Sequence, residues 1–142
     1  GVVLESEYKE RQQRLVAEVM TMPASDEASF KSKADRIIKM KEKGWLSELD
    51  FHGKKVEILK EVNGIGDYIL RTKLYMVARV SGLITAEDYE AKKSELIKEV
   101  FAPYNSMDEF QEKVNMLMKL NQADIITNEE YEGYKNKLMN DL

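Results

Sequence analysis

Between Asp67 and Ser81 the apolar side chains Tyr68, Tyr75 and Met76 recur with Arg71, Thr72 and Arg79 between them. That spacing puts the apolar set on one face of a helix. The same reading along the chain predicts helices near Leu4–Met20, Asp26–Lys43, Glu48–Val62, Asp67–Ser81, Ala86–Phe101, Met107–Gln122 and Asn128–Asn140. Between them run short connectors: Thr21–Ser25 with Pro23, Asn63–Gly66, and Ala102–Ser106 with Pro103. No alternating β-branched run stands beside this pattern, so no strand is expected.

The pattern also repeats. Gly44-Trp45-Leu46-Ser47-Glu48-Leu49-Asp50-Phe51 is followed by Gly82-Leu83-Ile84-Thr85-Ala86-Glu87-Asp88-Tyr89 and by Asp124-Ile125-Ile126-Thr127-Asn128-Glu129-Glu130-Tyr131. The three start 38 and 42 residues apart. Fourteen residues before each start stands an aromatic, Phe30, Tyr68 or Phe110. After each comes an apolar pair, Ile58-Leu59, Leu96-Ile97 or Leu138-Met139. A partial fourth copy opens the chain at Gly1-Val2-Val3-Leu4-Glu5-Ser6-Glu7-Tyr8, with Leu15-Val16 as its apolar pair. The expected fold class is therefore all-α, built of tandem two-helix (helix-turn-helix hairpin) repeats with about seven helices. Residues 1–22 would be the second half of a truncated repeat, followed by repeats at 23–62, 63–101 and 102–142. A chain that starts with glycine, halfway through a repeat, reads as a piece of something longer.

Each position of the signature has a local structural task. Gly44 and Gly82 fall where a helix ends in a left-handed residue, which glycine adopts without a Cβ penalty. Ser47, Thr85 and Thr127 are expected N-caps, with Asp50, Asp88 and Glu130 three residues on as a capping box or its aspartate variant. Leu46, Ile84 and Ile126 before the cap pair with Phe51, Tyr89 and Tyr131 after it as a hydrophobic staple. Acid-to-base pairs four apart, Asp50 with Lys54, Asp88 with Lys92 and Glu7 with Arg11, add tenths of a kcal/mol each. The Lys54-Lys55 and Lys92-Lys93 pairs read as solvated helix face.

The stretch from Gly82 to Ile97, with its glycine, two aliphatics, threonine, acids, aromatic and lysine-rich helix ending in leucine, resembles the short C-terminal domain (SHOCT) family. The resemblance implies a small two-helix module at the end of a bacterial or phage protein, serving oligomerisation or protein contact. The first copy departs from the pattern at His52-Gly53, and the last at Asp124 and Tyr134.

Composition narrows the chemistry. There is no cysteine, which removes disulfides, thiolate catalysis and Cys-ligated metal. A lone histidine, His52, has no second imidazole to share a metal with and reads as a surface or interface side chain. Asn63-Gly64-Ile65-Gly66 lacks the preceding strand and the Gly-Lys-Ser/Thr of a phosphate loop. Glu129-Glu130 suits the first turn of a helix better than a cation. No catalytic, cofactor or metal residue is expected. A net charge of −4 opposes a nucleic-acid interface, the alternative reading for helix-turn-helix units with lysine-rich second helices. No apolar run is long enough to cross a bilayer and no signal peptide is visible, so the expected location is cytoplasmic.

A two-helix unit of this size buries too little apolar surface to stand alone. It must pack on neighbouring units, on another copy or on a partner protein, and self-association is expected. Leu15, Val16 and Val19, on a helix with no preceding helix of its own, are candidate contact residues. Trp45, aligned with Leu83 and Ile125, either packs or anchors a partner. Met40, Met76, Met116 and Met118 serve either as core or as an adaptable contact surface.

Overall fold

The computed structural model of the chain describes residues 4–140. Among them are seven helices: α1 (Glu5–Met20), α2 (Glu27–Glu42), α3 (Glu48–Asn63), α4 (Tyr68–Ser81), α5 (Ala86–Val100), α6 (Met107–Gln122) and α7 (Asn128–Asn140). The described residues contain no strand. The opening Gly1-Val2-Val3 of the partial fourth copy lies outside the described residues.

The helices stop and start where the local chemistry directs. At the end of α2 the Trp45 N–H donates to the Met40 carbonyl at 2.9 Å, and Gly44 N–H to Lys41 at 2.9 Å. At the end of α4, Leu83 donates to Ala78 and Gly82 to Arg79; at the end of α6, Ile125 donates to Leu120 and Asp124 to Asn121. All three are the paired bonds that close a helix over a left-handed residue. Gly44 and Gly82 supply that residue at φ 78° and 89°, and Asp124 takes it at φ 59°. An L-residue with a Cβ is strained there. Asp124→Gly is therefore expected to stabilise the protein by about 0.5–1 kcal/mol, read from urea unfolding. An unchanged midpoint would show that the Asp124 side chain already offsets the strain.

The next helix then begins on its cap. Ser47, Thr85 and Thr127 hydroxyls accept the N–H of Asp50, Asp88 and Glu130 at 3.1, 3.0 and 3.1 Å. Only Glu130 returns a bond, accepting the Thr127 N–H at 3.0 Å. Asp50 and Asp88 do not, so of the capping boxes or aspartate variants expected at the three turns only the last is reciprocal. Leu4, which stands at the matching place before α1, provides no side-chain cap.

Each pair α2–α3, α4–α5 and α6–α7 folds back on itself. In the first, Lys41 near the end of α2 lies over the Phe51 ring at the start of α3, while Lys33 of α2 meets Glu61 late in α3. The two helices are therefore antiparallel. Between hairpins, α2 packs on α4 and α4 on α6, while α1 leans on α2, α3 on α4 and α5 on α6. Every substantial helix pairing lies within a hairpin or between adjacent ones. Phe30, Ala34 and Ile37 of α2 pack with Ile58, Val62, Leu74 and Ala78 in one cluster; Val100, Leu117, Leu120 and Leu138 centre a second. Tyr68 and Met76 of α4 touch both, so the core runs unbroken along the chain.

A polar staple accompanies this packing. Lys33 is completely buried, and its ammonium donates to the carbonyls of Met20 and Met22 at 2.8 and 3.0 Å and meets the Glu61 carboxylate at 3.5 Å. Arg71, 38 residues on, reaches the Ile65 carbonyl at 3.5 Å and Glu99 at 2.8 Å. In both cases a cation from the first helix of a hairpin caps the connector behind it and holds an acid on its own second helix. A cation at the C-terminal end of a helix also compensates the helix dipole.

Candidate protein-contact surface

The signature residues are consumed by the turns. Leu46, Phe51, Ile84, Tyr89 and Ile126 are buried and Tyr131 is half-buried. Ser47, Asp50, Thr85, Asp88, Thr127 and Glu130 act at helix starts. The helix ion pairs fall differently from the sequence spacing. Lys92 meets Glu95 at 3.2 Å rather than Asp88 and lies over the Tyr75 ring, and Lys93 reaches Glu130 on α7 at 3.8 Å. These two lysines are half-buried packing, not the solvated face their sequence suggests. His52 is exposed, and no group of three His, Asp or Glu side chains among the described residues is placed to hold a metal ion. No helix among them is long and apolar enough to cross a membrane.

Packing and capping shift the titration of five side chains. Burial pushes the Tyr68 hydroxyl well above its ordinary range, as it donates to the Leu96 carbonyl. Tyr75, Tyr89 and Tyr134 are raised for the same reason. The Ser29 N–H, donating to the Asp26 carboxylate at 2.7 Å, lowers that acid at the start of α2. A cleft of about 590 Å³ by the α5–α6 connector is walled by Phe101, Tyr104, Phe110 and Leu138, and its lining holds no carboxylate, imidazole or amine. Such a lining offers apolar contact.

The groove between α1 and α2 differs. It encloses about 460 Å³ between Leu15, Val19 and Met22 on one side and Met40 and Trp45 on the other, with Arg36, Lys39 and Lys43 along its wall and Glu18 opposite. Three of the four expected contact residues, Leu15, Val19 and Trp45, therefore meet here. Their exposure is unequal. Val16 and Val19 are buried against the rest of the chain, so α1 is already docked by them and they are not free for a partner. Leu15 keeps 36% of its surface exposed, and Trp45 is half-buried with Lys43 5.0 Å above its ring.

The positions 43 residues on from α1 and 38 residues on from α2 are differently placed. Leu15 and Val19 correspond to Ile58 and Val62, and Arg36, Met40 and Trp45 to Leu74, Ala78 and Leu83. Those five are all buried in the core that α2 completes over α3 and α4. A further hairpin along, Leu96, Val100, Leu120 and Ile125 are buried likewise where α4 lies over α5 and α6. On α1 and α2 no helix lies over the groove among the described residues. The apolar stripe continues beyond it along α1: Tyr8 is 54% exposed, whereas Phe51 and Tyr89 at the matching place are buried.

The basic wall was legible, since Arg36, Lys39 and Lys43 stand at helical spacing on one face, but it carries meaning only beside the apolar groove. The staple leaves a trace in the sequence as well, an acid 28 residues after each of Lys33 and Arg71, as Asp141 follows Lys113, but that spacing does not mark Lys33 as buried. Comparison with protein-family models, with curated proteins and with solved structures finds no match to this chain.

Proposed function

We propose that this chain is a tandem array of two-helix units, similar to the SHOCT family, that serves protein contact by self-association and carries no catalytic chemistry. One observation carries the reading: among the described residues, the surface that α2 covers on α3–α4, and α4 on α5–α6, has an uncovered counterpart on α1–α2. The same pair of closing backbone bonds over a left-handed residue at the three signature segments supports the repeat. The resemblance of Gly82–Ile97 to a family of oligomerising end-modules points the same way. An open apolar groove beside an otherwise charged surface is the ordinary mark of an interaction site.

Size-exclusion chromatography with light scattering over a concentration series tests this. The mass is expected to rise above the 16.5 kDa of a single chain as concentration increases. A strictly monomeric species throughout would overturn self-association. In parallel, random duplex DNA at low salt is expected to leave the mass unchanged; binding that falls steeply with added salt would favour the nucleic-acid reading instead.

A further inference from the structure

We infer that the cavity between α3 and the α4–α5 hairpin is a binding site for a small aromatic acid. It shares no lining residue with the α1–α2 groove, and its occupation does not depend on self-association.

The next hairpin shows what fills this place. Asn63, at the end of α3, corresponds to Phe101, 38 residues on, and Lys92 of α5 to Tyr134, 42 residues on. Between α5 and the α6–α7 hairpin those two rings meet edge to face, their centroids 5.7 Å apart, and Ile97 is buried. Between α3 and α4–α5 both rings are missing. Tyr75, where Leu117 stands in the later hairpin, returns only one. Its hydroxyl donates to the Asn63 side-chain oxygen, and its ring lies 5.1 Å from the Lys92 ammonium. What is left is an open cavity of about 470 Å³. Leu59, the counterpart of Ile97, is only half-buried there, and Val56 keeps 50% of its surface exposed. A mostly apolar hollow of that size with a few polar groups at its edge is the ordinary form of a small-molecule site.

Charge names the rest of the ligand. Lys55, Lys60 and Lys92 line the cavity, and Asp88 is the one acid among its walls. In the later hairpin Lys93, the counterpart of Lys55, reaches Glu130 at 3.8 Å. Asp88 stands at the place of Glu130, yet neither Lys55 nor Lys60 has a carboxylate within 4.0 Å among the described residues. Lys92 alone is paired, with Glu95 at 3.2 Å. Ammonium groups at the edge of an apolar hollow favour an occupant with a negative charge at one end, since charge-assisted hydrogen bonds are the strong ones. An aromatic body replaces the rings that this junction lacks, and a carboxylate supplies the acid that Lys55 and Lys60 lack.

Amide chemical shifts of the isotope-labelled full chain, titrated with 2-naphthoate and with neutral 2-naphthamide, test this. The two probes share one aromatic body and differ in charge. 2-Naphthoate is expected to shift the amides from Lys55 to Asn63 and those of Ile84 and Lys92, while those beside Trp45 stay still. It is expected to bind about fivefold or more tightly than 2-naphthamide. Lys55→Gln with Lys60→Gln keeps the core intact and is expected to remove that preference, with 2-naphthamide binding as before. Grafting the residues of the later hairpin, Asn63→Phe with Tyr75→Leu and Lys92→Tyr, is expected to fill the cavity and abolish binding of both probes, with the helical circular dichroism unchanged. Shifts centred on Trp45, equal affinity for the two probes, or no shift at millimolar ligand would each overturn the proposal. So would a preference for 2-naphthoate that survives the loss of both lysines, or binding that survives in a folded graft.

Discussion

Replacing Lys33 by alanine is expected to lower the unfolding free energy by about 2–4 kcal/mol. Its stem is wholly buried, and its ammonium satisfies the carbonyls of Met20 and Met22 just where α1 ends. Truncation removes the packing and leaves two partly buried acceptors without a donor. Lys33→Met keeps most of the stem and removes only the polar bonds, so it should cost about half as much. The loss should concentrate in α1, whose amide protons should exchange with deuterium faster than those of α4. Methionine as stable as lysine would show that desolvating the ammonium cancels what its bonds contribute.

Phe30→Ala should cost about 3–5 kcal/mol, since Phe30 has no exposed surface and stands where α2, the docking surface for three other helices, enters the core. Phe110, the matching aromatic of the last hairpin, is half-buried beside the open cleft near Tyr104. Its truncation to alanine is expected to cost markedly less. Urea unfolding of both variants checks the contrast. Equal losses would mean that the last hairpin is as enclosed in solution as the first.

The helices were legible because their punctuation is chemical. Ser47, Thr85 and Thr127 announce a helix start through one side-chain oxygen, and Gly44 and Gly82 announce an end through a missing Cβ. Such signals act within a few residues, where sequence and space coincide. The groove was harder to see. Leu15 and Trp45 lie 30 residues apart in the chain, and only the docking of α1 on α2 through Val16 and Val19 brings them together. Apolar spacing showed that α1 needed a surface, but not that one side of it would find that surface within the chain while the other stayed bare. Lys33 was hidden for a related reason. A lysine in a helical stripe reads as solvated, and its burial follows from where the preceding connector crosses α2.

Trp45 is the single tryptophan of the chain and lines the groove, so its emission reports on that surface alone. Recorded along a dilution series beside the light-scattering mass, the emission maximum is expected to move to shorter wavelength as mass rises, both following one association curve. A mass that doubles while Trp45 keeps the emission of the dilute chain would place the contact elsewhere and contradict the account.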